Sequence, residues 1–473
     1  MTTTTMDPPP RIAGRQRLVV FLLLGAGFML SVDFSILNVA LPRLGAGVGL
    51  GLSALPWVVT AFALPAAGFT LLFGRIADMV GRRRMFLTGI TLLAVSSVVG
   101  GLATNAAMLL TARVLQGLAT AIATPAALSL LVTSFRDEKQ RARVLGLNGA
   151  LMSAGFTVGA LLGGTLVGVL GWRWAFLINV PVAVLIAVAT PFLVSPSRAA
   201  PGVRLDVPGA VSVTLGLLAF VFGVTNGNLP ALAAGVALLV VFWRIERRAP
   251  APLAAVAILS RPTVKWGNVA GLIVFSMEPG LIYLMTLYLQ DVLHFAPLTT
   301  GLVFGVPGLA SVAAGVVAGR VIGRYGPRTV LAVGLLTQTG FAAPLVLLGT
   351  GNGWLAVLIP ALFLGFFGHV TSIVAFMVTA TSGLPDSEQG LATGLATLTQ
   401  QVGITIGVPI LAAVAATRAS LLSGIHLAVA VNVGVTVTAV VLIWTGLRAR
   451  SAGSGAEPGV EAAGRGPEPV GTA

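Results

Sequence analysis

The chain has 473 residues, of which 56% are hydrophobic and only 9% charged, and its mean hydropathy is +0.99; soluble domains, whose surfaces are roughly a quarter or more charged, are excluded. The net charge of +14 would point to nucleic acid in a soluble protein, but in a polytopic membrane protein it is first a matter of orientation across the bilayer. With no Cys and three His, disulfide, thiolate-metal, zinc and haem chemistry are excluded as organising principles.

A membrane helix needs about 20 mostly apolar residues. Fourteen such runs follow one another, near 18–42, 54–74, 85–104, 106–133, 144–169, 174–195, 208–226, 229–243, 266–290, 298–321, 329–349, 353–381, 390–415 and 421–446. Residues 1–17 form a short segment carrying Arg11, Arg15 and Arg17. The run that follows is too long, and lacks the small-residue cleavage site, for a removable signal peptide. With a cytoplasmic N-terminus, every Lys and Arg except Arg43, Arg113, Arg173 and Arg418 falls in a cytoplasmic segment, so both termini are expected inside. The tail, 451–473, is rich in Gly, Pro, Ala and Glu and is expected to be disordered.

The sequence also repeats itself. "GRIADMVGRRR" at 74–84 matches "GRVIGRYGPR" at 319–328, an offset of 245; "RDEKQ" and "PDSEQ" match at 249, and Gly155 and Gly159 match Gly403 and Gly407 at 248. The chain therefore divides into six-helix halves at 18–195 and 266–446, with the two helices of 208–243 inserted between them. The fold class is all-α membrane protein.

Two acids interrupt the apolar runs. Asp33 lies in the first, where a lone carboxylate is about 2.5 to 3.5 kcal/mol unfavourable at a helix centre. It is either a proton or cation site, since desolvation penalises the charged form, or a carboxylate held by a structural partner. The 245-residue offset carries Asp33 onto Glu278 in the ninth run, so the acids occupy matched positions in the two halves. Pro279 and Gly280 follow Glu278, and the lost amide donor predicts a broken or kinked helix there; Glu278 is then either a functional acid or a local cap of the break. Arg113 is the one basic residue inside a predicted helix and needs a counter-charge, with Asp33 the natural candidate. His369, alone on an apolar face, reads as a packing residue. Lys139 follows Glu138 and Lys265 follows Val264, so no Gly-Lys pair exists for an ATP phosphate loop. Uphill transport would need an ion gradient instead.

With the repeat in hand, "DFSILNVALP" (33–42), "GRIADMVGRRR", "RVLQG" (113–117), "GFTVGALLGG" (155–164) and "WRWAFLINVP" (172–181) resemble signatures of the major facilitator superfamily, specifically its fourteen-helix drug:proton antiporters. The resemblance covers roughly residues 18–446. Met79 stands where the family commonly has Arg after the loop Asp, and Ala160 where it usually has Pro. The resemblance implies two six-helix bundles plus two inserted helices, and a non-enzymatic, cofactor-free carrier driven by the proton gradient. It would export small hydrophobic or cationic drugs, Asp33, Glu278 and Arg113 coupling proton and substrate. The alternatives are a proton-coupled symporter importing a small metabolite, and a channel or scaffold. The resemblance further implies a gating loop of Gly74, Asp78, Gly81 and Arg82, with Asp78 pairing to Arg across helix ends, and an antiporter motif of Gly155, Gly159, Gly163 and Gly164. Those four glycines are expected on one helix face, where close packing is the other reading. Phe34, Gln116, Phe156, Phe275, Tyr283 and Tyr288 are candidate cavity-lining residues. The expected setting is a bacterial inner membrane, and the partners are substrate, protons and lipid, with no nucleic acid and a functional monomer.

Overall fold

The computed structural model describes residues 14–134, 138–196, 206–249, 252–253, 256–382, 384 and 386–448; most of the N-terminal segment and the whole tail of 451–473 lie outside them. Every regular element among the described residues is helical. The first group is α1 (Gly14–Val48), α2 (Pro56–Val80), α3 (Arg82–Gly101), α4 (Ala106–Thr133) and α5 (Glu138–Val169). The turn α6 (Trp174–Leu177) runs into α7 (Asn179–Leu193) as one span. A hairpin of α8 (Val207–Asn226) and α9 (Leu229–Glu246) precedes α10 (Pro262–Leu287), α11 (Pro297–Tyr325), α12 (Pro327–Ala342), α13 (Leu355–Thr381), α14 (Asp386–Ala416) and α15 (Leu421–Arg448).

Among the described residues thirteen spans are long and apolar enough to cross a membrane. Fourteen were expected from hydropathy; the difference is α5, whose apolar part is the shorter stretch Ala154–Val169 although the helix itself has 32 residues. The protein is thus a multi-pass membrane protein. Local chemistry explains the helix ends. Pro occupies the first turn of α2, α8, α9, α10, α11 and α12, where its missing N–H is harmless. Asn105, Asp206 and Asn228 cap α4, α8 and α9 by accepting from Met108, Gly209 and Ala231 backbone N–H at 2.9 Å each. Gly81 (φ +113°) and Gly326 (φ +79°), 245 residues apart, make the same left-handed turn between α2 and α3 and between α11 and α12.

Glycine also sets the closest packing. A Cβ on Gly155, Gly159 or Gly163 would come within 2.8 Å of the Phe28, 2.7 Å of the Val32 and 2.8 Å of the Ile36 carbonyl oxygen, so α5 lies directly on the α1 backbone either side of Asp33. The second half repeats the arrangement: Gly403 and Gly407 of α14 face Phe275 and Ser276 of α10, beside Glu278. Gly164 departs from the expected shared face. One residue beyond Gly163, it is turned by a further 100°, and its absent Cβ would meet Pro297 O at 2.7 Å on α11. Gly301 of α11 in turn sits where a Cβ would lie 2.6 Å from Ala160 O. The same helix thus touches α1 on one face and the other half on the face next to it. Further bonds between the halves lie toward the Val48 end of α1: Gln290 Nε2 donates to Val39 O at 2.8 Å and Thr405 Oγ1 to Ala63 O at 3.0 Å. The inserted α8 lies along the seam between α2 and α14, where Thr214 Oγ1 donates to Gly68 O at 2.9 Å and Val213 and Leu217 join a cluster with Leu64 and Leu398.

The break expected at Pro279 is absent. The helix α10 is uninterrupted from Pro262 to Leu287, and the irregularity comes later, as a π turn at Tyr288–Val292. Proline is tolerated in membrane helices when neighbours hold the segment in place. Here Asn432 Nδ2 bonds Met277 O at 2.8 Å, and Gly280 lets α14 come so close that a Cβ would be 2.9 Å from Gly407 O.

Gly159→Ala should therefore force α1 and α5 apart and destabilise the purified protein by about 1 to 3 kcal/mol. Gly315→Ala, where a Cβ meets nothing within 4 Å, should not lower the melting temperature in detergent.

Candidate functional site

Asp33 is completely buried, and its partners come from two other helices, α4 and α7. Its Oδ1 accepts from Asn179 Nδ2 of α7 and from Gln116 Nε2 of α4 at 3.2 Å. Its Oδ2 lies 3.7 Å from Arg113 Nη1 of α4 and accepts no hydrogen bond. Arg113 is the buried Lys or Arg among the described residues. It is held by donating Nε to Val58 O of α2 at 3.0 Å and Nη1 to Gln116 Oε1 at 2.8 Å, and its guanidinium lies 4.4 Å from the Phe62 ring centroid. Gln116 Nε2 also reaches Ser97 Oγ of α3 at 3.1 Å. A buried carboxylate is thus met by a cation and two amides, as its desolvation demands.

Glu278 is equally buried but differently served. Its Oε2 accepts from Gln338 Nε2 of α12 at 2.8 Å, and among the described residues no Lys or Arg pairs with it. Gln338 Oε1, also buried, accepts nothing. Both side chains line a small pocket with room for about one water-sized group, walled by Leu281, Leu345, Leu362 and Phe366. Asp33 and Glu278 therefore sit at matched places in two unlike environments.

The model of the major facilitator superfamily matches residues 23–408. The puromycin resistance protein of Streptomyces alboniger is 33% identical over 91% of this chain and 91% of its own length. The cephamycin export protein of Amycolatopsis lactamdurans is 33% identical over 82% of each, and the lincomycin resistance protein of Streptomyces lincolnensis 30% identical over 86% of each. In fold, the chain is similar to the crystal structure of the human organic anion transporter TETRAN, with a TM-score of 0.63 at 19% identity, covering 92% of this chain and all of that one. The chain belongs to the major facilitator superfamily. It is accordingly a member of a transporter family rather than of an enzyme family.

The superfamily loop between α2 and α3 is built locally. Asp78 Oδ1 pairs with Arg82, which approaches at 3.0 Å through both Nε and Nη2, an i,i+4 contact across the Gly81 turn. The pairing across helix ends that the resemblance implied is thus made to the neighbouring helix start. Gly74 packs its missing side chain toward Pro125 of α4 at 3.5 Å. Of the proposed cavity residues, Gln116 belongs to the Asp33 cluster. Phe34 stacks near Phe62 at 6.3 Å, and Phe156 of α5 meets Phe366 of α13 at 5.6 Å across the halves. Phe275 contacts Phe376 and His369 at 6.0 and 6.4 Å. Tyr283 and Tyr288 are packed in the core, Tyr288 donating its hydroxyl to Gly349 O at 2.7 Å. His369 is buried beside Phe366, and its Nδ1 makes no hydrogen bond.

Sequence reasoning passed over Ser97, Asn179 and Gln338. Each is a polar residue isolated in an apolar run, and the signal was available: an amide or hydroxyl buried among membrane helices needs a partner. Arg113→Ala should strand the Asp33 charge and destabilise the protein by about 3 to 5 kcal/mol. Combining it with Asp33→Asn should recover part of that loss, a coupling of about 1 kcal/mol or more in a double-mutant cycle of melting measurements.

Proposed function

We propose that this protein is a proton-coupled antiporter that exports small hydrophobic or cationic drugs or antibiotics from a bacterial cytoplasm by alternating access. Support for the cargo comes from relatives named for puromycin and lincomycin resistance and for cephamycin export, which share most of their length with this chain. The observation that carries the coupling is the Asp33 carboxylate: one oxygen bonded to two amides, the other facing Arg113 at 3.7 Å with no hydrogen bond of its own.

A proton arriving on Oδ2 cancels the charge that Arg113 faces. The guanidinium keeps its bonds to Val58 O and Gln116 but loses its counter-ion, so the stable arrangement of α1, α2 and α4 changes with protonation. Because α5 lies on α1 around Asp33 and on α11 through Gly164 and Gly301, a shift of α1 is felt at the interface between the halves. Exposed outward, Asp33 takes a proton as drug leaves; exposed inward, it returns the proton as drug enters. With the cytoplasmic termini that the charge distribution supports, the bond of Gln290 to Val39 lies toward the outer face. One chain supplies both halves, so a monomer suffices, and the proton gradient is the only energy source required.

The test is flux in proteoliposomes under an imposed pH gradient, with puromycin, lincomycin and a fluorescent organic cation as cargo. Movement against the proton flow is expected, and Asp33→Asn should abolish its dependence on the gradient. Movement with protons would mark a symporter, and gradient-independent flux would defeat both carriers.

A further inference from the structure

The two halves fill the space beside their buried acids differently. At the repeat offset of 245, Ser97, Arg113 and Gln116, which crowd around Asp33, correspond to Ala342, Leu358 and Ala361. Ala342 and Ala361 line the pocket beside Glu278. Where the N-terminal half inserts its own guanidinium and amide, the C-terminal half has only small and apolar side chains, and the room so released is a pocket. Two groups of this pocket are polar, and both accept: the Glu278 carboxylate, which no cation of the described protein neutralises, and Gln338 Oε1, buried without a donor. In this orientation the Gln338 amide nitrogen donates to Glu278 at 2.8 Å.

Buried acceptors without donors are stabilised by a ligand that brings N–H groups, and a buried carboxylate without a counter-ion by one that brings positive charge. A pocket of about one water's size admits an –NH3+ head but not a trimethylammonium, whose methyl groups are bulky and donate nothing. Leu362 and Phe366 give the pocket apolar walls. We infer that this pocket is the binding site for the protonated amine of a substrate, the ligand's ammonium taking the place beside Glu278 that Arg113 takes beside Asp33. Gln338 is then the residue that selects amines bearing N–H over quaternary ammonium ions of the same charge. The N-terminal acid, already neutralised from within, takes no part in holding the cargo's charge. This inference rests on reading the protein as a carrier of small molecules and goes beyond it by assigning one half-site to one functional group.

The experiment measures binding to the purified full-length protein in lipid nanodiscs by calorimetry. The probes are 4-phenylbutylamine, its N,N,N-trimethyl derivative and the neutral 4-phenylbutanol. The primary amine should bind about tenfold or more tightly than either of the others. Glu278→Gln should remove that advantage over the alcohol. Gln338→Met, similar in volume but without the carbonyl, should narrow the amine's advantage over its trimethyl derivative by about threefold or more, leaving the part that pocket size imposes. Ala361→Leu, which fills the pocket without touching either acceptor, should weaken the amine to the level of the alcohol and provides the decisive variant if Glu278→Gln does not fold. Equal affinity of wild type for amine and trimethyl derivative, no binding of the amine, or an unchanged preference in Gln338→Met and Ala361→Leu would overturn the inference. Proton-driven flux of a neutral drug through the same protein reconstituted in proteoliposomes reports separately on the carrier reading, which survives any of those results if that flux persists.

Discussion

A carboxylate enclosed between helices, away from water, has to be met by charge and hydrogen-bond donors from other segments, and at Asp33 that requirement joins most of the N-terminal half. Val58 of α2, Ser97 of α3, Arg113 and Gln116 of α4 and Asn179 of α7 form one connected set around a single residue of α1. Each of these groups would be unfavourable alone in hydrocarbon; together they satisfy one another except at Asp33 Oδ2. The one oxygen left without a hydrogen bond is the one that faces the guanidinium, at 3.7 Å.

Glycine determines how closely the helices around that cluster approach one another. The stripe of Gly155, Gly159 and Gly163 brings the α5 backbone onto α1 either side of Asp33, while Gly164, one residue around the helix, brings it onto α11. In a membrane, where lipid is as apolar as leucine, such close backbone contact is a principal source of helix association. The contact that packs α5 also joins the buried acid to the seam between the halves, and α8 covers another stretch of that seam along α2 and α14.

The two halves show how one repeated frame has been put to different uses. The left-handed turns at Gly81 and Gly326 and the glycine contacts of α5 on α1 and α14 on α10 are repeated, and each half buries an acid at the matched position. The surroundings of the acids are not repeated. A guanidinium, an amide and a hydroxyl stand beside Asp33, and their positions at the repeat offset hold Leu358, Ala361 and Ala342. A backbone frame survives such divergence because it depends on glycine and helix ends, whereas the space beside the acid depends on the side chains that fill it.

Hydropathy alone located the spans closely: a run at 106–133 became Ala106–Thr133, and one at 208–226 became Val207–Asn226. Each span must match the same bilayer thickness by itself, so its length and composition are properties of one segment and can be read from that segment. The repeat likewise exposed the matched acids, because equivalent positions in related halves keep a nearly constant offset. Other features belong to the tertiary structure. Asn179 as a partner of Asp33, Gln338 as the partner of Glu278, the turning of Gly164 toward α11 and the unbroken course of α10 through Pro279 all depend on which helices lie side by side. A polar residue in an apolar run announces that it needs a partner, but the partner stands on another helix, tens or hundreds of residues away. Only the folded arrangement, in which every buried donor and acceptor competes for the same few neighbours, decides which one answers.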